Sequence, residues 1–210
     1  MCSYERSRDA GVSPVVGVML MLVVTIIIAA VVSAFAGGLG GSQQKTPQAS
    51  FQIKTGWVVG DDGVISTSNY DISFEHMGGD AVMTKDTQLI TYLTLPNGTV
   101  VRHVQTSAST PVCIYNGNSC SRPPHVYDNQ KYGFPCGNYG NGFNSPAWFG
   151  NATWMSGDIA RTYQLPFAAG LLGVSSDDLK SAISSHSLLE VKLLHVPSGK
   201  YIIDQKVNLQ

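Results

Sequence analysis

The sequence predicts an α+β chain: one long N-terminal apolar helix, then an antiparallel β-sandwich or barrel-like domain carrying one short helix. Three observations lead there. Residues 10–44 carry no charged side chain at all. Hydrophobic period changes from none to two after residue 50. Turn signals then recur between short apolar runs.

The helix comes first. Val15 to Ala36 is apolar except for Gly17, Thr25 and Ser33. At about 1.5 Å per residue, 22 residues span a hydrocarbon core of roughly 30 Å. The run has no polar face, which excludes a surface amphipathic helix. Ser13 is a good N-cap, Pro14 suits the first helical position, and Gly37 and Gly38 mark a stop. A secretory signal peptide has a shorter apolar core, although Ser33-Ala34-Phe35-Ala36 imitates a cleavage site. Arg6 and Arg8 precede the run and only Lys45 follows closely, so the N-terminus faces the cytoplasm and the rest lies outside. Small residues recur four apart, as in Ala29 with Ser33 and Ala30 with Ala34, a spacing that lets helix backbones approach in an apolar medium.

Composition narrows function. Charged residues make up 13% of the chain, with a net charge of −1. That balance gives no basic surplus for nucleic acid. No phosphate loop, dinucleotide fingerprint or Gly-x-Ser-x-Gly is present. The five histidines, at 76, 103, 125, 186 and 195, lack ligand spacing. We therefore expect no catalytic centre, no cofactor and no metal.

The order Asp9-Ala10-Gly11-Val12-Ser13-Pro14-Val15-Val16-Gly17-Val18-Met19-Leu20 resembles the N-terminus of archaeal type IV pilins. In that family a short polar leader precedes a Ser-Pro-Val-hydrophobic-Gly-Val pattern and a long apolar helix. The resemblance implies a leader, residues 1–11, cut between Gly11 and Val12 by a prepilin peptidase. The bond between Ala10 and Gly11 is the alternative, because no Lys or Arg directly precedes the small residues. It implies a helix over 12–38 that is first a membrane anchor and then a filament core. It also implies self-association into a helical homopolymer, an assembly ATPase, a membrane platform protein and an adhesive surface filament. Two further stretches resemble archaeal pilin domains: Ile72 to Val82, containing His76-Met77-Gly78-Gly79-Asp80, and the closing Leu189 to Leu209. The rival reading is a single-pass anchored extracellular binding domain.

Residues 39–50 read as a Gly/Ser/Gln-rich hinge, and 51–210 as a β-rich outer domain. Hairpins are expected around Asp61-Asp62-Gly63, Pro96-Asn97-Gly98 and Pro197-Ser198-Gly199-Lys200. Ser175 to Asp178 should cap a helix over Leu179 to Ser185. His76-Met77-Gly78-Gly79-Asp80 reads as a tight turn after a strand rather than a metal site.

An insertion at about 105–156 holds Cys113, Cys120 and Cys136 and nine aromatic residues. Counting outward from Asn116-Gly117 sets Cys113 opposite Cys120, within disulfide reach, while a bridge from Cys136 to either stays open. The aromatics suit either a subunit contact or a local core. Asn97-Gly98-Thr99 and Asn151-Ala152-Thr153 are N-glycosylation sequons.

Overall fold

The computed structural model describes residues 14–39, 45–60, 63–114, 119–126 and 145–210. The chain divides into two compact units, residues 1–43 and 44–210.

The first unit contains α1, Pro14–Leu39. Its 26 residues are about 39 Å long as an α-helix. Pro14 is its first residue, and the helix continues through Gly37 and Gly38. The apolar residues on every side remove any competing amphipathic solution. Thr25 gives its hydroxyl proton back to the Leu22 carbonyl at 2.8 Å, so the interior polar group is satisfied within the helix.

The outer domain is built on two four-stranded antiparallel sheets. The first orders β1 (Ala49–Val59), β2 (Ile65–Gly79), β10 (Ile159–Arg161) and β8 (His125–Val126). The second orders β12 (Lys200–Asn208), β11 (Leu188–His195), β4 (Thr87–Thr94) and β5 (Val100–Gln105). Two further antiparallel pairs occur among the described residues: β3 (Val82–Met83) with the distant β9 (Thr153–Trp154), and β6 (Val112–Ile114) with β7 (Ser119–Ser121).

Alternation decides which face is buried. On β11, Leu189, Val191, Leu193 and His195 point inward, and the residues between them face outward. Ile72 and Phe74 on β2, Leu89 and Leu93 on β4, and Trp154 on β9 join the same core. The described strands do not close into a barrel. Edge strands β1 and β12 are stitched by side chains instead: Gln205 Nε2 donates to the Phe51 carbonyl at 2.8 Å, and Thr55 Oγ1 to the Asn208 carbonyl at 3.0 Å.

Among the described residues the outer domain has two short α-helices where one was expected. The expected one is α3, Ser176–Ser184, whose N-cap Ser175 accepts from the Asp178 N–H at 3.1 Å. The additional one is α2, Leu165–Leu172. It is apolar on almost every side and sinks six of its eight residues into the core, which hides the 3.6-residue period. Gly173 stops it at φ 69°, and a Cβ there would meet the His103 ring at 2.9 Å. Thr91 Oγ1 (3.3 Å) and His103 Nδ1 (2.8 Å) both donate to the otherwise orphaned Leu171 carbonyl.

Candidate functional site

The feature that stands out is α1. Every side chain from Pro14 to Phe35 is exposed, and Met21 reaches 71%. Pro14–Phe35 is long and apolar enough to cross a membrane, with a mean hydropathy of 3.2. Each Val, Leu or Ile left in water forgoes roughly 1.5–3 kcal/mol relative to burial. Bilayer and helix bundle both remove that cost, and between the two the hydrophobic term nearly cancels. Close backbone approach then matters. Ala29, Ala30, Ser33 and Ala34, exposed on α1, permit it.

Where the chain enters the outer domain it is fastened by several bonds. Thr46 is buried and donates to Ser198 Oγ at 2.7 Å, and Ser198 also bonds His195 Nδ1 at 2.8 Å. Asp80 Oδ2 accepts the Gln48 N–H at 3.0 Å, while the Asp80 N–H donates to the Gln48 carbonyl at 2.8 Å. His76 Nε2 donates to the Asp80 carbonyl at 3.0 Å. Gly79 sits at φ 109°, and a Cβ on it would lie 2.2 Å from the Gln48 carbonyl oxygen. His76-Met77-Gly78-Gly79-Asp80 is thus a latch that closes the end of β2 over the start of β1. The Asp80 carboxylate points to Gln48 rather than to His76, so the two do not form a ligand pair.

A second polar node ties β2 to β10. Asp71 accepts Arg161 Nε at 2.9 Å and Nη2 at 2.7 Å on one oxygen. Its other oxygen accepts the N–H groups of Thr162 (3.1 Å) and Tyr163 (2.9 Å). All four bonds go to structural partners, so the carboxylate is spent on holding the sheet. Nearby, His125 is buried, and burial pushes its imidazole down to about 4. Asp71 opposes that shift and Arg161 adds to it. A buried neutral His that bonds Ser121 Oγ at 3.1 Å is a packing group.

The other sequence-identified positions fall as follows. Gly11, Val12 and Ser13 lie outside the described residues, as does Cys136. Cys113 and Cys120 face each other across β6 and β7 and form a disulfide. Of the nine aromatics in the insertion, Trp148, Phe149 and Trp154 are described, and all three are buried in the domain interior. Phe149 and Trp154 belong to the main core and Trp148 is buried as well, so these three form neither a separate local core nor a surface. The remaining six lie outside the described residues. Asn97 is exposed at the β4–β5 turn, and Asn151 lies in a tight turn before β9. Among the described residues, no group of three or more His, Cys, Asp or Glu side chains is placed to hold a metal ion.

Sequence reasoning did not find the Asp71–Arg161 node. Its partners are 90 positions apart, and an isolated Asp or Arg in a strand carries no local signal.

The helix, its exposure and its junction with β1 are the region for which known proteins give a counterpart. Residues 10–51 match the archaeal type IV pilin N-terminal family. The match covers α1 and the linker and ends just inside β1, so it supports a pilin-like role through the helix and leaves the outer domain unassigned. An uncharacterized protein of Archaeoglobus fulgidus is 36% identical over 79 residues, which is 37% of this chain and 49% of that protein. The chain therefore spans about half the length of this curated relative. No solved structure matches.

Proposed function

We propose that this chain is the subunit of an archaeal type IV pilus-like surface filament. A prepilin peptidase removes residues 1–11 at the Gly11–Val12 bond, leaving Ser13 and Pro14 to start the helix. α1 holds the precursor in the membrane and then packs against α1 of other copies. An assembly ATPase and a membrane platform protein drive its extraction. The outer domain forms the filament wall and meets surfaces or cells.

One observation carries this reading: a charge-free helix, apolar all round and exposed along its described side chains, in a segment that matches the pilin N-terminal family. A helix that only anchors needs the apolar length. A helix that must also leave lipid for a bundle needs the absence of charge and the small residues as well, because packing alone separates the two environments. A filament repeats one heterologous contact without closing, which suits identical subunits added end on end.

The test is the intact mass and N-terminal sequence of the chain recovered from the cell surface. We expect a chain beginning at Val12. A surface chain that retains Met1 to Arg8 would identify a plain membrane anchor, and one beginning near Gly37 a secreted protein.

A further inference from the structure

We infer that Asn97 is an N-glycosylation acceptor and that the second sequon, at Asn151, is not used. The inference rests on the reading that the outer domain lies outside the cell.

The two sequons share a sequence rule, and both asparagines are exposed in turns, but their side-chain amides are engaged differently. Asn97 is exposed at the tip of the β4–β5 hairpin, where the Leu95 N–H donates to the Thr99 carbonyl at 2.8 Å and the Gly98 N–H to the Leu95 carbonyl at 2.9 Å. Its Oδ1 accepts the Thr99 N–H at 2.9 Å, which ties the two ends of the sequon together. Its Nδ2 has no acceptor among the described residues. The reactive nitrogen is thus presented on a rigid turn, with the Thr99 side chain exposed beside it.

At Asn151 the amide is already committed. Nδ2 donates to the Ser145 carbonyl at 2.9 Å, and Oδ1 accepts from Arg122 Nη2 at 3.4 Å. Arg122 is buried and lies over the Trp148 ring at 5.8 Å. Ala152, the middle residue of that sequon, is 2% exposed, and Thr153 is paired with Met83 in a strand. A sugar on Nδ2 would replace one of its two N–H groups, and keeping the bond to Ser145 would fix the sugar beside an amide whose Oδ1 is held by the buried Arg122.

Position adds to the contrast. At one end of β4, Thr87 pairs with His195, next to Ser198 and Thr46 where the chain enters the domain. Asn97 follows the other end of that strand, about 24 Å along it. A bulky glycan there leaves the entry latch untouched.

The group transferred is an oligosaccharide carried on a lipid (pyro)phosphate. Asn97 Nδ2 forms a bond to the anomeric carbon, and the bond from that carbon to the carrier phosphate oxygen breaks. The phosphate leaves with the electron pair, and the amide proton passes to a base of the transferase. No oxidation or reduction occurs.

The experiment maps tryptic peptides 86–102 and 132–161 of the full chain taken from its own cells, alongside its N-terminal peptide. We expect peptide 86–102 to carry the mass of one oligosaccharide, and 132–161 to be bare. Asn97→Asp keeps an oxygen acceptor for the turn and removes the nucleophile, so it should lose the whole added mass without a change in melting. Thr99→Ala should lose it too, Thr99→Ser should keep it, and Asn151→Gln should leave peptide 86–102 modified. A bare 86–102 peptide, or a sugar on 132–161, overturns the inference. A bare peptide on a chain that begins at Val12 refutes the glycan alone, and a bare peptide on a chain with its leader intact inside the cell refutes the filament reading with it.

Discussion

Ile26, Ile27 and Ile28 of α1 are 60%, 56% and 57% exposed, whereas Ile72 of β2 and Leu189 of β11 are fully buried. The residue types are alike. What differs is the neighbourhood the chain itself provides. The outer domain alternates apolar and polar positions, so each strand turns one face inward and the other to water. α1 has no polar face, and its side chains from Pro14 to Phe35 are exposed. The comparison teaches that the outer domain buries its apolar residues within its own fold, whereas α1 presents an apolar surface long enough to cross a membrane.

Four changes break or sharpen this contrast. The largest effect is expected from Ile27→Lys. One charge at the centre of an apolar helix costs about 2.5–3.5 kcal/mol, and assembly repeats the cost in every copy. Filaments should be lost in electron micrographs while the outer domain melts unchanged in detergent.

Asp71→Ala acts only in the outer domain. It leaves Arg161 and two backbone N–H groups without their acceptor. A loss of about 3 kcal/mol in chemical denaturation is expected, because two backbone N–H groups lose their acceptor and the partly exposed Arg161 loses its partner. A change below 1 kcal/mol would mean that the node is not a support.

Acid comes next. Burial holds the folded His125 near 4, below the unfolded value of about 6.5. Between those values the unfolded chain binds a proton that the folded chain refuses. Stability is therefore full above pH 6.5 and declines as pH falls toward 4, by about 3 kcal/mol in all. His125→Gln should flatten this window in a pH series of denaturation curves. An unchanged slope would remove His125 as its cause.

The smallest effect is expected at Lys54, whose ammonium pairs with Glu75 at 2.7 Å on the open face of the first sheet. Its side chain is 53% exposed, so Lys54→Ala should cost less than about 1 kcal/mol in the same assay.

The elements readable from sequence are those that a few adjacent residues decide. A charge gap and Pro14 announce α1. Asn97-Gly98 turns β4 into β5, and Ser198-Gly199 turns β11 into β12, because short turns demand particular residues. Ser175 with Asp178 starts α3. The helix α2 was not readable, since burial on nearly all sides erases periodicity. The two-residue strands β3, β8 and β9 were equally silent: their pairings come from distant chain, as Val82 with Trp154 shows. At the candidate site the same division holds. The apolar helix α1 lies within one segment and is legible there. The histidines are not, because their roles depend on partners such as Leu171 for His103 and Leu209 for His186.

The central claim is that α1 exchanges lipid for copies of itself. Electron microscopy of purified surface filaments, at a resolution that traces side chains, tests it most directly. The account predicts α1 helices from successive copies packed together along the filament axis, beginning at Val12, with the outer domains around them. Surface preparations that contain only single chains, with α1 still in a bilayer and its leader attached, would contradict it.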